Sequence, residues 1–346
     1  MECMDTEQST GETPKLTRWQ KHKRSILIAV ASVIFILAAI VVWFLLAETK
    51  HAGENQTPVK STQTTTQTQP QSTAPTWKGS VDPTALPLGN GHVGSSPKSG
   101  YITSCTTTFR GGGAQHAGGW IDENKGTWNS QSKVTVSGSV NWPNASYAES
   151  TSGSNRVIKT NDLPVSDPTG IFPIRSSDAA YQFDRNPNSV MSHALTYNLP
   201  LDPAAASAPS CLGLGPVGVM TNGVLLYDAL DDGGRDAVAY ETQDECSGHP
   251  DGQERYHYHD VASCILKRAT GTSTLVGYAF DGYGIYVERD SKGNLPTNAD
   301  LDECHGRTSD ISWNGSTVTM YHYDATLEYP YTIGCYHGSS AVSSHP

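Results

Sequence analysis

The sequence predicts a mainly β protein: an antiparallel sandwich or barrel-like ectodomain with few helices, preceded by one N-terminal transmembrane helix. Three observations support this fold class. The 346 residues include 33 Gly and 20 Pro, which interrupt helices. Several short segments alternate apolar and polar residues, as half-buried strands do. One uncharged apolar run near the N-terminus is long enough to cross a bilayer.

Four segments carry the strand predictions. Residues 132–140 and 316–323 alternate apolar with polar side chains, which is the two-residue period of a strand. Residues 215–228 hold apolar runs on both sides of an Asn-Gly dipeptide, a strong hairpin signal. Residues 274–289 have the same form around Asp-Gly. Because short strands at such spacing usually pair with their neighbours, we expect an antiparallel body.

Residues 26–47 form the predicted transmembrane helix, a run of 22 residues without a charge. Basic residues precede it: Lys15, Arg18, Lys21, Lys23 and Arg24. The positive-inside rule then places residues 1–25 in the cytoplasm and the remainder outside. A cleaved signal peptide would have a shorter apolar region of about 7–15 residues. We therefore expect a single-pass signal-anchor protein of the plasma membrane.

Residues 48–76 read as a disordered Thr/Gln/Pro-rich stalk, because they contain too little apolar surface to bury. Residues 77–346 follow as the extracytoplasmic domain. The net charge of −11 argues against a nucleic-acid partner, which requires a basic surface. The expected partners are therefore the membrane and an unknown surface ligand or metal ion.

Six of the seven cysteines lie beyond the predicted membrane helix, and an even number there predicts three disulfides. Two pairs follow from position, because each flanks a segment rich in His and Tyr, and the third follows by elimination. The predicted pairs are Cys246–Cys264, Cys304–Cys335 and Cys105–Cys211. A thiolate metal site is the alternative, but no CxxC pair occurs.

The densest chemistry lies at Tyr256-His257-Tyr258-His259. On a strand, alternate side chains share a face, so His257 and His259 would point the same way. Two such imidazoles can converge on one ion. Imidazole with carboxylate suits Zn or Cu in an oxidising compartment. The predicted metal ligands are His257, His259, His249, Asp244 and Glu241.

Two other interpretations of these residues stay open. Tyr and His rings also pack on sheets and form hydrogen bonds through their polar tips, which would make a structural network. Direct acid–base catalysis by the histidines is the other alternative.

A second cluster, Tyr321-His322-Tyr323-Asp324, repeats the first with Asp in place of the last His, which suggests a short internal duplication. Asp also ligates metals, so the replacement is chemically tolerable. The secondary candidates for the site are Asp281, His305, His322, Asp324 and His337.

An ordered set of motifs resembles the YHYH-domain family over residues 130–338. The motifs are NGV (222–224), DAVAYETQDECSGHP (236–250), YHYH (256–259), GYAFDGYGIY (277–286), LDECHGR (301–307) and YHYDATLEYPYTIGCYHG (321–338). The sequence departs from the expected pattern at Asp324, where many members would have His. The resemblance implies that the Cys, His and acidic residues of these motifs act as one unit, and it implies no reaction.

Taken together, the sequence predicts a membrane-anchored extracytoplasmic domain that binds a transition metal through a site centred on His-x-His. One alternative is an extracytoplasmic metal-assisted hydrolase or oxidoreductase. Another is a non-catalytic surface interaction or scaffold domain with a structural Tyr/His network. No GxSxG, HExxH, P-loop or GxGxxG motif occurs, so the sequence leaves open whether the protein is an enzyme and which residues would be catalytic.

Overall fold

The computed structural model describes residues 74–106 and 108–340. The predicted cytoplasmic tail, the predicted membrane helix and residues 48–73 of the predicted stalk lie outside the described residues. Among the residues that are described, no helix has both the length and the apolar character needed to cross a membrane.

The elements before the main sheet are short strands in small sheets. Strands β1 to β5 are Leu86–Pro87, Val93–Gly94, Ile102–Thr103, Ile121–Asp122 and Thr127–Trp128. An antiparallel sheet follows, made of β6 (Tyr147–Ser152), β7 (Asn155–Thr160) and β8 (Leu195–Pro200). Strand β9 (Ala205–Ser210) pairs with the last strand, β18 (Tyr336–Gly338).

Eight strands form the main sheet. They are β10 (Pro216–Met220), β11 (Leu225–Tyr227), β12 (Gly248–Pro250), β13 (Tyr256–Tyr258), β14 (Ser273–Ala279), β15 (Gly284–Glu288), β16 (Gly306–Trp313) and β17 (Ser316–Asp324). Their order is β12-β13-β11-β10-β14-β15-β17-β16. Strands β12 and β16 are the two edges of this sheet, so the sheet is open.

Helices are few and short in the described residues. They are α1 (Ala237–Tyr240), α2 (Ser263–Arg268) and the 3-10 segments Ala179–Gln182 and Asn298–Asp300. The mainly β prediction is therefore confirmed, whereas no closed barrel forms among the described strands.

The predicted antiparallel pairing holds for five of the seven strand pairs of the main sheet, whereas two pairs are parallel. Strand β11 runs parallel to β13, and β15 runs parallel to β17. In each case the chain leaves the sheet after a hairpin, adds an edge strand, and returns between the hairpin and that edge strand. This insertion brings β13, with His257, beside the buried strand β11.

Both predicted hairpins are present, and each turns on a glycine with positive φ. The Met220 amide donates to the Val224 carbonyl around Gly223 at φ 92°. The Ala279 amide donates to the Tyr283 carbonyl around Gly282 at φ 93°. The strand predicted over 132–140 is wrong, because this segment makes only isolated bridges at Val136 and Val140.

All three predicted disulfides are confirmed. The structure pairs Cys105 with Cys211, Cys246 with Cys264 and Cys304 with Cys335.

The core lies on both faces of the main sheet, because β10, β11 and β15 are buried along their whole lengths. The N-terminal segment contributes to the cover: the indole of Trp120 is buried and donates to the Ala239 carbonyl. Because these strands are buried on both faces, the sheet can hold polar groups away from water.

Candidate metal centre

The two histidines of Tyr256-His257-Tyr258-His259 share one face, as strand alternation predicts. Their Nε2 atoms lie 3.1 Å apart. The rings of Tyr256 and Tyr258 pack edge to face with centroids 5.5 Å apart. The alternation of strand β13 therefore separates a histidine face from a tyrosine face.

Backbone carbonyls determine which nitrogen of each ring carries hydrogen. Nδ1–H of His257 donates to the Arg255 carbonyl over 3.1 Å. Nδ1–H of His259 donates to the Asp228 carbonyl. A carbonyl only accepts, so each neutral ring keeps its hydrogen on Nδ1 and presents an Nε2 lone pair. Two acceptors thus face each other, and a cation between them would remove the conflict.

His249 brings a third imidazole to the same place. It lies on β12, directly opposite His257 in the antiparallel pair, and the two ring centroids are 4.5 Å apart. Within the described chain, neither nitrogen of this ring has a hydrogen-bond partner, although the residue is only 4% exposed. Leaving a buried polar group unsatisfied costs about 1–3 kcal/mol, so a ligand for this ring is expected.

Glu241 adds a carboxylate oxygen to the three rings. Its Oε2 lies 3.5 Å from His249 Nε2 and 3.4 Å from His259 Nε2. In the described part of the protein this oxygen has no hydrogen-bond partner either. One ligand atom from each of the three histidines lies within 4.8 Å of the others. We call His249, His257, His259 and Glu241 the His cluster.

Burial determines the charge state of the His cluster. It lowers the pKa of His257 to about 4, and it lowers the pKa values of His249 and His259 well below their ordinary range. The rings are therefore neutral, which is the form that ligates metals. Burial, with Asp231 and Asp184 nearby, raises the pKa of Glu241 well above its usual value. A metal ion bound beside Glu241 would supply the positive charge that stabilises its ionised carboxylate.

The His cluster lines one side of a cavity of about 510 Å³. Tyr227 lies beside the rings and stacks on His257 with centroids 3.8 Å apart. Its hydroxyl donates to Asp251 Oδ2 over 2.6 Å, which holds the stacking ring in position. The rest of the lining is largely polar and includes Asn186 and Arg255. The arrangement therefore leaves space for a small molecule beside the His cluster.

One predicted ligand, Asp244, is not brought to the His cluster. Its carboxylate accepts from the Tyr256 hydroxyl, on the tyrosine face of β13, at 2.8 and 3.0 Å. It also accepts from the amides of Gly170, Cys246 and Gly248. With both oxygens so engaged, Asp244 holds the turn before β12 and does not face the imidazoles.

Of the secondary candidates, two take part in a possible metal site and three do not. His322 and Asp324 join Glu288 in a second group with metal-compatible spacing, at the far end of the same sheet. Asp281 instead accepts from the Tyr323 hydroxyl and the Gly338 amide. His337 stacks on Tyr321 with ring centroids 3.7 Å apart, and His305 Nε2 lies 3.0 Å from Thr326 Oγ1. Neither His305 nor His337 belongs to the His cluster or to the second group.

Two residues at this place were not predicted from the sequence: Glu288, which belongs to the second group, and Arg307, which contacts it. Arg307 forms ion pairs with both Glu288 and Asp324. A signal for Arg307 was present, because DECSGH in one repeat becomes DECHGR in the other. Glu288 has no such signal, since its strand places it beside His322 only through long-range pairing.

Buried His305 allows a prediction of pH dependence. Burial lowers its pKa from 6.5 to about 3. Between these values the unfolded chain binds one more proton, so the free energy of unfolding decreases as the pH falls. We expect His305→Asn to remove up to about 1.4 kcal/mol per pH unit of this slope. Asn also tolerates the φ of 72° at this position.

The measurement is urea unfolding of the full chain at several pH values between 6.5 and 3. Exposed His116→Asn is the matched control and should leave the slope unchanged. An equal slope in wild type and His305→Asn would contradict the assignment.

Comparison with known proteins gives one family match. Residues 196–297 match the model of a family described as YHYH protein. No curated protein and no solved structure matches the chain. The matched range includes the whole His cluster but ends before β16 and β17, so it is shorter than the resemblance noted over 130–338.

Proposed function

Since the chain belongs to the YHYH protein family through residues 196–297, we propose that this domain binds one transition-metal ion through His249, His257 and His259, with Glu241 as a further ligand. The observation that carries the proposal is the pair of Nε2 atoms 3.1 Å apart, both acceptors, beside a third buried ring without a hydrogen-bond partner among the described residues.

The spacing of the ring nitrogens suits zinc or copper. Tetrahedral zinc with Zn–N bonds of about 2.0–2.1 Å separates two ligand nitrogens by about 3.3 Å. The observed 3.1 Å requires only a small adjustment of the rings. Imidazole and carboxylate together favour Zn or Cu(II) over metals that prefer thiolates or oxygen alone. The carbonyls that accept from each Nδ1–H would hold the rings in the ligating orientation.

The proposed location is the outer face of the plasma membrane, with residues 26–47 as a single-pass anchor and the N-terminus in the cytoplasm. Three disulfides support an oxidising compartment for the domain. Protease treatment of intact cells tests this topology: the domain should be digested and residues 1–25 protected.

Metal content tests the proposed function directly. The full chain is purified in detergent without chelators or a polyhistidine tag, and its metals are measured by mass spectrometry. We expect about one zinc or copper per wild-type chain, because the His cluster offers one set of ligands. The variant His257→Ala/His259→Ala should contain none, whereas the control His116→Ala should match wild type.

Circular dichroism shows whether the double variant is folded. A folded wild-type chain that takes up neither zinc nor copper after reconstitution would contradict metal binding. That result would favour a scaffold domain in which the rings only pack against one another.

Glu241→Gln tests the carboxylate ligand while preserving its size. We expect zinc affinity to fall by about 10–100-fold, because the neutral amide removes charge from the centre without removing the three rings. Competition with a fluorescent zinc chelator measures the change. Exposed Glu245→Gln serves as the control only for net charge, and similar losses in both variants would argue against direct ligation by Glu241.

The cavity beside the His cluster favours a second candidate function, a metal-assisted hydrolase. Catalytic zinc sites have three protein ligands and a water at an open position, and in this alternative the three histidines are those ligands. Cobalt(II) substitution tests for such a position: added azide should change the visible spectrum if the metal faces the cavity. A spectrum that azide leaves unchanged would indicate a closed centre suited to metal storage or sensing.

A further inference from the structure

The second half of the main sheet repeats the first half at the level of sequence. Residues 217–227 (VGVMTNGVLLY) align with 276–286 (VGYAFDGYGIY). Residues 244–249 (DECSGH) align with 302–307 (DECHGR), and YHYH aligns with YHYD. The repeated segments occur in the same order, so the similarity extends well beyond the two tetrapeptides.

Strand pairing repeats in the same register. Pro216 pairs with Tyr227 before a bulge in the first half, and Leu275 pairs with Tyr286 before a bulge in the second. Each half then adds a parallel strand beside its hairpin. The halves meet where β10 and β14 pair antiparallel. The main sheet therefore has an approximate twofold axis that relates the halves.

The hydrogen bonds of the tyrosines repeat as well. Tyr256 donates to Asp244 in the first half, and the equivalent Tyr321 donates to Asp302 in the second. Tyr258 contacts Asn222 through its hydroxyl, and Tyr323 contacts Asp281 at the equivalent position. These contacts hold each returning strand to its hairpin and to the turn before its edge strand, so both halves present their central histidine in the same way.

The two centres differ at two aligned positions, because Asp324 replaces His259 and Arg307 replaces His249. On β12, His249 lies opposite His257, and at the equivalent place on β16, Arg307 lies opposite His322. The Arg307 guanidinium contacts a carboxylate oxygen of Glu288, and its Nε lies 3.1 Å from Asp324 Oδ2. Where the first centre has a third imidazole, the second has a built-in positive charge.

The remaining groups of the second centre keep the character of metal ligands. His322 Nε2 lies 3.5 Å from Glu288 Oε2 and 3.7 Å from Asp324 Oδ2. His322 is 0% exposed, and its Nε2 has no hydrogen-bond partner within the described chain. Its Nδ1–H donates to the Met320 carbonyl, as His257 donates to Arg255. An Nε2 lone pair is thus aimed at two buried carboxylates.

We infer that the second centre is a copy of the metal site in which the Arg307 guanidinium takes the place of the cation. The guanidinium forms ion pairs with both Glu288 and Asp324, so the wild-type centre already contains a cation without a metal. Arg307→His would restore the imidazole found at His249 and open a second transition-metal site. The completed set would then be two imidazoles and two carboxylates, which suits zinc.

The test uses the full chain in the His257→Ala/His259→Ala background, which removes the first centre and separates this inference from the proposed function. Zinc binding is followed by titration. We expect Arg307→His to bind one zinc at least about 100-fold more tightly than its parent. Adding His322→Ala should abolish that binding.

Arg307→Met provides a second test if Arg307→His folds poorly. It removes the cation and adds no ligand, so zinc should bind more weakly than in Arg307→His and should raise the unfolding temperature. Three results would overturn the inference: zinc bound by the parent and lost with His322→Ala, folded Arg307 variants that bind no zinc, or unfolded variants that zinc fails to refold.

Discussion

Zinc at about a thousand times its dissociation constant is expected to raise the free energy of unfolding of wild type by about 4 kcal/mol. The gain arises because a metal bound only by the folded state adds its binding free energy to folding. In this protein the same ion would also satisfy the ring of His249 and the carboxylate of Glu241, neither of which is fully hydrogen-bonded among the described residues.

His257→Asn is expected to abolish most of this gain. Its ring is central to the His cluster, since it faces His259 Nε2 at 3.1 Å and lies opposite His249 in the sheet. Urea unfolding with and without zinc measures the difference, and a chelator should reverse it. His305→Asn, a buried histidine outside the cluster, should keep the full gain. An equal gain in wild type and His257→Asn would mean that zinc acts elsewhere.

Removal of the Cys105–Cys211 disulfide is expected to have the largest effect on stability without metal. The two residues are 106 positions apart, so the bond closes a long loop in the unfolded chain. Loop-closure entropy at this length corresponds to about 4.7 kcal/mol. The bond lies beside a bridge between Ser104 and Leu212, and it ties the N-terminal segment to the segment before β10. Replacing both cysteines by Ala should therefore loosen that segment first.

The matched comparison is Cys246→Ala/Cys264→Ala, which opens a loop with a separation of only 18 residues. Its expected cost is about 3 kcal/mol. Urea unfolding under oxidising conditions measures both variants, and proteolysis of the N-terminal segment detects local opening. A smaller loss for the long loop than for the short loop would show that chain entropy does not dominate here.

Local patterns predicted those parts of the site that depend on neighbouring residues. His257 and His259 point to the same face because side chains alternate along a strand, which is a property of backbone geometry. The glycine hairpins follow from the backbone conformations that their turns require. The disulfide pairs followed from which cysteines flank the His- and Tyr-rich segments. The predicted membrane anchor and stalk remain predictions, because they fall outside the described residues.

Local sequence patterns did not predict where Asp244 and Arg307 lie in the structure. Asp244 has the chemistry of a ligand, but long-range packing puts it beside Tyr256 on the opposite face of β13. Arg307 and Glu288 are 19 positions apart in sequence and meet only because β15 and β16 both neighbour β17. The change from DECSGH to DECHGR marks Arg307, but its partner Glu288 lies in no such repeat pattern.

By itself, the sequence determined the mainly β class, the two hairpins, the disulfide pairs and the shared face of the central histidines. Each depends on interactions over short stretches or on the few cysteines available. Only the tertiary structure decided that the sheet contains parallel pairs, that Glu241 and not Asp244 meets His249 and His259, and that Arg307 fills the second centre. Those outcomes depend on which distant strands pair, and side-chain alternation specifies the face of a residue but not its partner strand.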